Sequence, residues 1–445
     1  MIRIAVTKKY LLALYLFCFP LQNLFAQDLM EIYQLALENE PEYKGSYLNQ
    51  FAAAENKSQS IARMLPNISV QGNSSRDRLN SKKRTFQGSG VQNYWTHKFA
   101  VNFNQPVFHW EHWVQLSQSE NQIAQAEAQF QADSQALMLK IVEAYFNILS
   151  AQDTLEFAKA EKRAIGKQLE QARQRFEVGL IAITDVHEAQ AAFDESSANE
   201  IEAANELDNQ KENLRELIGY HEEALNPLAA EIPLQQPEPA DLEAWAKNAE
   251  MNNFKVIAQL NQTEFSRKTI ALQRSGHLPT LDIVASYGVS DVNSSFGLRG
   301  DTQSVGLQLN VPIFEGGGVY SRTKQAEFEF RKEKQNLIKV KRTVIRDVKN
   351  AYRGVLSSIS RVKALKAAVK SAASALEATE AGFEVGTRTM VDVLTEQRNL
   401  YRVKRDYARS RYDYLVNAIR LKNAAGNLSE NDLQQINQFL TESSS

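Results

Sequence analysis

The chain has 445 residues, a formal net charge of −2 and 23% charged residues, a balance with no electrostatic footprint for nucleic acid. Its one cysteine, Cys18, lies in the N-terminal segment, so a chain trimmed of that segment has no thiol; disulfides, cysteine-ligated zinc and thiol catalysis are excluded. Beyond that segment no run approaches the ~20 apolar residues of a transmembrane helix, so a membrane could be crossed only by strands.

Residues 1–26 read as a secretory signal peptide: Lys8 and Lys9 precede an apolar run over 10–19, Pro20 breaks it, and cleavage is expected after Ala26. A lipoprotein with an acylated Cys18 is the weaker reading, because Phe17 stands where a small residue is expected. The mature chain is a tandem repeat. The first unit, 27–218, runs through a helical stretch (28–64), Leu65-Pro66-Asn67, a strand, a loop, a second strand closing at 104–108, a long helix, a tip and a return helix to about Ile218. A proline-rich linker, 219–240, follows, with Pro227, Pro233, Pro237 and Pro239. The second unit, 241–426, repeats the order: helix to Ser275, Leu278-Pro279-Thr280, two strands closing at 310–314, long helix, tip, return helix to about Ala425. Residues 427–445 are left as a C-terminal tail. The prolines fall at matching junctions, where a residue that cannot continue a helix switches the chain to extended backbone.

The repeat is clearest at the tips. RFEVGLIAITDV (175–186) returns as GFEVGTRTMVDV (382–393), each copy between two helix-patterned arms. Gly179 and Gly386 mark helix ends, since glycine accepts positive φ. Along the second long helix Val348, Val355, Val362, Val369, Leu376 and Phe383 recur at sevens; in the first, Ile123, Phe130 and Leu137 do, then Ile141, Ile148 and Leu155 after a shift. Sevens keep one seam against a partner helix, which predicts coiled-coil rods on the order of 100 Å at ~1.5 Å per residue. Weaker sevens in the return arm (Leu394, Tyr401, Ala408, Leu415) predict antiparallel packing on the rods. A plain coiled-coil spacer would have no reason to interrupt its rods with strands.

Those strands alternate. Leu281, Ile283, Ala285, Tyr287 and Val289 face one side, as do Phe99, Val101, Phe103 and Val305, Leu307, Leu309 in theirs. Strands of ~10 residues with aromatics near their ends (Tyr94, Trp95, Phe108, Trp110, Trp113, Tyr287, Phe314) suit a lipid-facing β-barrel. A small soluble sheet packed on a helix is the competing reading. Four strands per chain cannot close a barrel, and open edges cannot sit in hydrocarbon, so several chains must contribute.

On these residues the mature chain, about 28–435, resembles the TolC family of outer-membrane channel proteins. The motifs are Glu-Ile-Tyr-Gln-Leu-Ala (31–36), His-Leu-Pro-Thr-Leu-Asp (277–282), Val-Pro-Ile-Phe-Glu-Gly-Gly (311–317) and the two tips. The resemblance implies a mixed α and β membrane protein: a homotrimer whose twelve-stranded outer-membrane barrel continues into a long α-helical tunnel through the periplasm, closed at its tip at rest. It implies a periplasmic adaptor and an inner-membrane RND, ABC or MFS transporter as partners, contact with outer-membrane lipid, no cofactor and no catalysis. The gate latch it implies joins Gln168 to Glu380, and Arg388 to Thr184 and Asp185. Phe383 departs from the pattern, standing where a tyrosine hydroxyl would meet the tip aspartate; either the latch is weaker there or apolar packing replaces the link. Asp392 would form a pore-entrance ring that favours cations, or serve as a helix N-cap; Thr395 replaces the second acid of that entrance. Val178, Gly179, Leu180 and Val385, Gly386, Thr387 are the implied adaptor-docking turns.

Other constellations carry less. Gly316, Gly317 and Gly318 lack the lysine of a phosphate loop and read as a strand-to-helix bend. His109 and His112, three apart, are joined by no carboxylate or third histidine in the expected pattern and read with Trp110 and Trp113 as an interfacial belt. Arg76, Arg78, Lys82, Lys83 and Arg84 are expected in the first inter-strand loop, solvated or against lipopolysaccharide. A periplasmic coiled-coil adaptor or a structural protein without a pore is the alternative function; an adaptor would carry one hairpin flanked by β-rich domains, not two repeats.

Overall fold

The computed structural model describes residues 27–85, 88–219, 224–293 and 299–441, so the expected signal peptide, with Cys18, lies outside the described residues. Asp28 opens helix α1 (Leu29–Asn39) with a capping box: its carboxylate accepts the Glu31 N–H at 2.8 Å, and its own N–H donates to Glu31 at 3.1 Å. Glu40 is extended (φ −72°, ψ 118°) and Pro41 starts α2 (Pro41–Ala62), occupying the one helical turn that needs no proline N–H. In the second half α5 (Leu242–Asn252) stops at Asn253 (φ −68°, ψ 125°), whose side chain caps α6 (Phe254–Arg274) by accepting the Lys255 N–H at 2.9 Å. The single helices expected over 28–64 and 241–275 are therefore each two helices, broken at matching places.

Strands β1 (Asn67–Thr85), β2 (Gly88–Phe108), β3 (Thr280–Val292) and β4 (Arg299–Asn310) form one antiparallel sheet in chain order. The register aligns like with like: Ile68, Phe103, Ala285 and Val305 lie in one row, and Ser69, Asn102, Ser286 and Ser304 in the next. One face is thus apolar across all four strands. Among the described residues nothing covers it, since Ile68, Val305 and Leu307 are 67%, 83% and 73% exposed; the soluble sheet-on-helix reading does not hold. β1 and β2 span 19 and 21 residues against 13 and 12 in β3 and β4, so the first hairpin outreaches the second. Arg76 and Arg78 pair with Trp95 and Asn93 inside this extension, and Lys82, Lys83 and Arg84 also lie in β1. The basic cluster expected in a loop is strand; its polar run carries no two-faced hydrophobic pattern by which to read it.

From the sheet run the rods α3 (Trp110–Glu177, 68 residues) and α7 (Gly318–Glu384, 67 residues), with return helices α4 (Ile183–Ile218) and α8 (Met390–Ala425). The element order of the first half recurs in the second. The seam of sevens is buried where the rods are wrapped: Val348, Val355 and Val362 on α7 and Leu137, Ile141 and Ile148 on α3. Around this central core lie α1, α5, residues 224–240 and a last helix, α9 (Glu430–Asn437). The linker is pinned at Asn226, whose carbonyl accepts the Tyr145 hydroxyl at 2.9 Å, and at Gln235, whose N–H donates to the Tyr414 hydroxyl at 2.9 Å. The tail is docked too. Leu433 and Ile436 are buried, and the Asn437 side chain accepts the Leu29 N–H at 3.0 Å and donates to Asp28 at 2.8 Å. Among the described residues no helix is long and apolar enough to cross a membrane.

Candidate functional site

Both rods end in the same hydrogen-bonded turn. Leu180 N–H donates to Arg175 O at 2.8 Å and Gly179 N–H to Phe176 O at 2.9 Å; Thr387 N–H donates to Gly382 O at 2.8 Å and Gly386 N–H to Phe383 O at 3.1 Å. The glycines sit at φ 78° and 77°, the left-handed conformation that lets such a turn satisfy the last helix carbonyls. This geometry thrusts Val178, Leu180 and Val385 outward, each at least 70% exposed, with Thr387 beside them. The six residues expected to dock an adaptor are two exposed, backbone-rich knuckles.

Just inside the tips an apolar cluster ties the two hairpins together. Ile165, Leu169 and Ala172 of α3, Ala189 and Ala192 of α4 and Met390 and Leu394 of α8 are buried, with Phe383 and Phe193 packed against them. The Arg175 guanidinium lies 5.0 Å from the Phe383 ring centroid, a cation–π contact between α3 and α7. Arg398 on α8 reaches Glu195 on α4 at 2.8 Å. Phe383 thus packs on the cluster beside Arg175. Arg175, Met390 and the Arg398–Glu195 pair were not singled out in the sequence. A signal existed for Arg175, because the two tip copies differ at that position, arginine against Gly382.

The expected polar latch is not assembled within one chain: among the described residues no hydrogen bond or ion pair joins Gln168 to Glu380, or Arg388 to Thr184 or Asp185. Thr184 and Arg388 are exposed, while Gln168, Asp185 and Glu380 are half-buried. The Arg388 side chain folds across its own turn; a Cβ placed on Gly382 would fall 2.7 Å from Arg388 Cγ.

Asp392 is not the N-cap. Thr389 caps α8, and Asp392 is the reciprocal partner three residues on: its Oδ2 accepts the Thr389 N–H at 2.9 Å and hydroxyl at 2.9 Å, and its N–H donates to Thr389 Oγ1 at 3.2 Å. The Thr389 N–H first, then its hydroxyl and more weakly Arg388, hold the Asp392 carboxyl below its ordinary range. The charge therefore survives acidification that neutralises a free aspartate near pH ~4. If Asp392 sets ion preference, the cation preference seen as a reversal potential in a salt gradient persists through that range and fades only below it. Asp392→Ala removes the preference at every pH, and Thr389→Val moves its loss upward. An unshifted reversal potential in Asp392→Ala would leave capping as the carboxylate's only role.

At the other end of α3, His109 and His112 stack with ring centroids 4.7 Å apart and 9° between planes. Contrary to the expectation that no carboxylate joins them, His109 Nε2 lies 3.1 Å from both oxygens of Asp282, and Nδ1 lies 3.5 Å from Glu111. Glu111 was readable between the histidines; Asp282, on β3, was not.

Rods of this length, carrying a sheet with an uncovered apolar face at one end and paired turns at the other, define an outer-membrane channel protein. The chain belongs to the outer membrane efflux protein family, whose model matches residues 32–220 and 245–427. It is 38% identical over 421 residues to outer membrane protein TolC of Vibrio cholerae serotype O1, covering 94% of each chain. It is 30% identical over 421 residues to the alkaline protease secretion protein AprF of Pseudomonas aeruginosa, covering 93% of this chain and 88% of that one. Among solved structures, the Campylobacter jejuni CmeC outer membrane channel shares the fold, with TM-score 0.77 at 15% identity over 93% of this chain and 90% of that one. The chain is an outer-membrane efflux channel protein, and such channels work with pump or secretion-system partners. Nothing in these matches favours a poreless adaptor.

Proposed function

We propose that three copies of the chain assemble into an exit duct, a twelve-stranded barrel in the outer membrane continuous with a helical tunnel across the periplasm. The observation that carries this reading is the sheet. Its apolar face is exposed along all four strands, and β1 and β4 each pair on one side only. In hydrocarbon an unpaired edge costs several kcal/mol per orphaned group, so β1 of one copy pairs with β4 of the next until the ring closes. In this reading the tips form a gate, with Gln168, Glu380, Thr184, Asp185 and Arg388 linking neighbouring coils and Asp392 ringing the entrance. A periplasmic adaptor docks on the knuckles at Val178–Leu180 and Val385–Thr387 and brings an RND, ABC or MFS transporter; cargo is chosen by that pump.

Membrane fractionation and mild gel electrophoresis test the assembly: a trimer in the outer-membrane fraction is expected, and a monomer in the soluble periplasm contradicts it. For docking, Leu180→Asp and Val385→Asp alter side chains that already face water, so trimer yield should hold while drug resistance or protein secretion falls to the level of a deletion strain. Full export by the double variant would remove these turns from the docking surface.

A further inference from the structure

We propose that His109, Glu111 and His112 form a binding site for a divalent first-row transition-metal ion at the junction of sheet and tunnel, with Asp282 as its outer support. Among the described residues these three are the one group of three or more metal-ligating side chains whose donor atoms lie within 4.8 Å of one another. Two imidazoles and a carboxylate suit zinc-class ions, with a fourth position left for water. All four residues belong to one chain, so the site does not depend on how copies assemble.

The second observation is Asp282. It sits on β3, yet both its oxygens lie 3.1 Å from His109 Nε2. A ligating histidine commonly donates its other ring N–H to a carboxylate, which fixes tautomer and ring orientation. With Nε2 donating to Asp282, Nδ1 turns its lone pair toward Glu111 Oε1 at 3.5 Å. Two donor atoms facing each other at that distance can share one metal ion between them. The side chains of His109 and Asp282 are 15% and 16% exposed and that of Glu111 37%, so the donors are held firmly but open to entry. The rings stack nearly parallel, so His112 must turn about its broad terminal torsion to aim a nitrogen at the same ion. The site lies at the start of α3, where the helix contributes roughly half a positive charge; the two carboxylates outweigh it.

The fold does not need these residues. At the equivalent bend the second repeat has Glu315, Gly316, Gly317 and Gly318, with Gly317 capping α7 at φ 83°, and Ser69 occupies the position matching Asp282. A bend that glycines make in one copy carries two histidines and a carboxylate in the other, with the second carboxylate arriving from β3.

The test uses the untagged mature protein in detergent, stripped with a chelator and titrated with Co²⁺ as a visible-absorption probe, then with competing Zn²⁺, with elemental analysis of the dialysed complex. One ion per chain and a cobalt band of a nitrogen-ligated site are expected. His112→Ala, which leaves the His109–Asp282 pair in place, should abolish the band, and Asp282→Asn should weaken affinity roughly 10–100-fold, both with unchanged circular dichroism. No band in the wild type, or equal affinity in His112→Ala, would overturn the site. Equal affinity in Asp282→Asn would remove the outer support and overturn the site as drawn.

Discussion

Phe383→Ala is expected to raise the conductance of the resting channel in planar bilayers more than removal of any polar link at the tip. Truncating a fully buried phenylalanine costs ~3–5 kcal/mol; Phe383 is half-buried against the cluster of Leu169, Met390 and Leu394, so about half of that applies. Loss of the Arg175 contact adds ~0.5–1 kcal/mol. The total, ~2–3 kcal/mol per chain, shifts a closed-to-open balance by roughly 30- to 100-fold. A link between neighbouring coils such as the one proposed for Arg388 with Asp185, at a wet tip, would contribute only ~0–1 kcal/mol, so Arg388→Ser and Asp185→Ala should raise conductance less. Phe383→Tyr should conduct like the wild type, since it keeps the ring. Wild-type conductance in Phe383→Ala beside a raised value in Arg388→Ser would show that polar links, not apolar packing, hold the tip.

Gly426→Ala should be more damaging than an added methyl at any other described glycine. Gly426 ends α8 at φ 77°, where an L-residue loses ~1–2 kcal/mol. Its added Cβ would lie 2.6 Å from Asn253 Cα, 3.0 Å from Asn252 O and 3.1 Å from Asn253 N. These are backbone atoms at the α5–α6 break, and Asn253 is itself buried and donates to Ala424 O at 2.9 Å. The only relief is to move α8 off that break and loosen the core around Trp245, Leu428 and Leu433, at a further ~1–3 kcal/mol. Gly179→Ala is the control, with φ 78° but open space around the new methyl. Thermal unfolding followed by circular dichroism should give Gly426→Ala clearly the lower midpoint. Equal midpoints would mean that only the backbone conformation matters and the close approach does not.

Much of this was legible in one dimension. Sevens through Val348, Val355 and Val362, prolines before β1 and β3, alternation through Leu281–Val289 and the twice-written tip all come from local rules of helix period, strand period and proline geometry. They report which face of an element is buried, and a duplicated chain writes them twice. Pro41 is equally local and marks the α1–α2 break, but apolar spacing continues across it and hides the break. The long first hairpin was not legible, because residues 76–84 hold a single apolar residue, Leu79, and so carry no period-two pattern; the strand is evident from its pairing with β2. Three long-range contacts were not legible either: Arg175 over Phe383 at the tip, His109 on Asp282 at the junction, and Asn437 on Asp28 where the tail docks. Each joins residues far apart in sequence, and which partner arrives depends on crossing angle, strand register and the turn that ends each rod. By itself the sequence determined the repeat, the rods, the strands and the class of protein. Only the tertiary structure decided what meets at the tip and at the sheet–helix junction, because those meetings are set by how rigid elements pack and not by the period of any one of them.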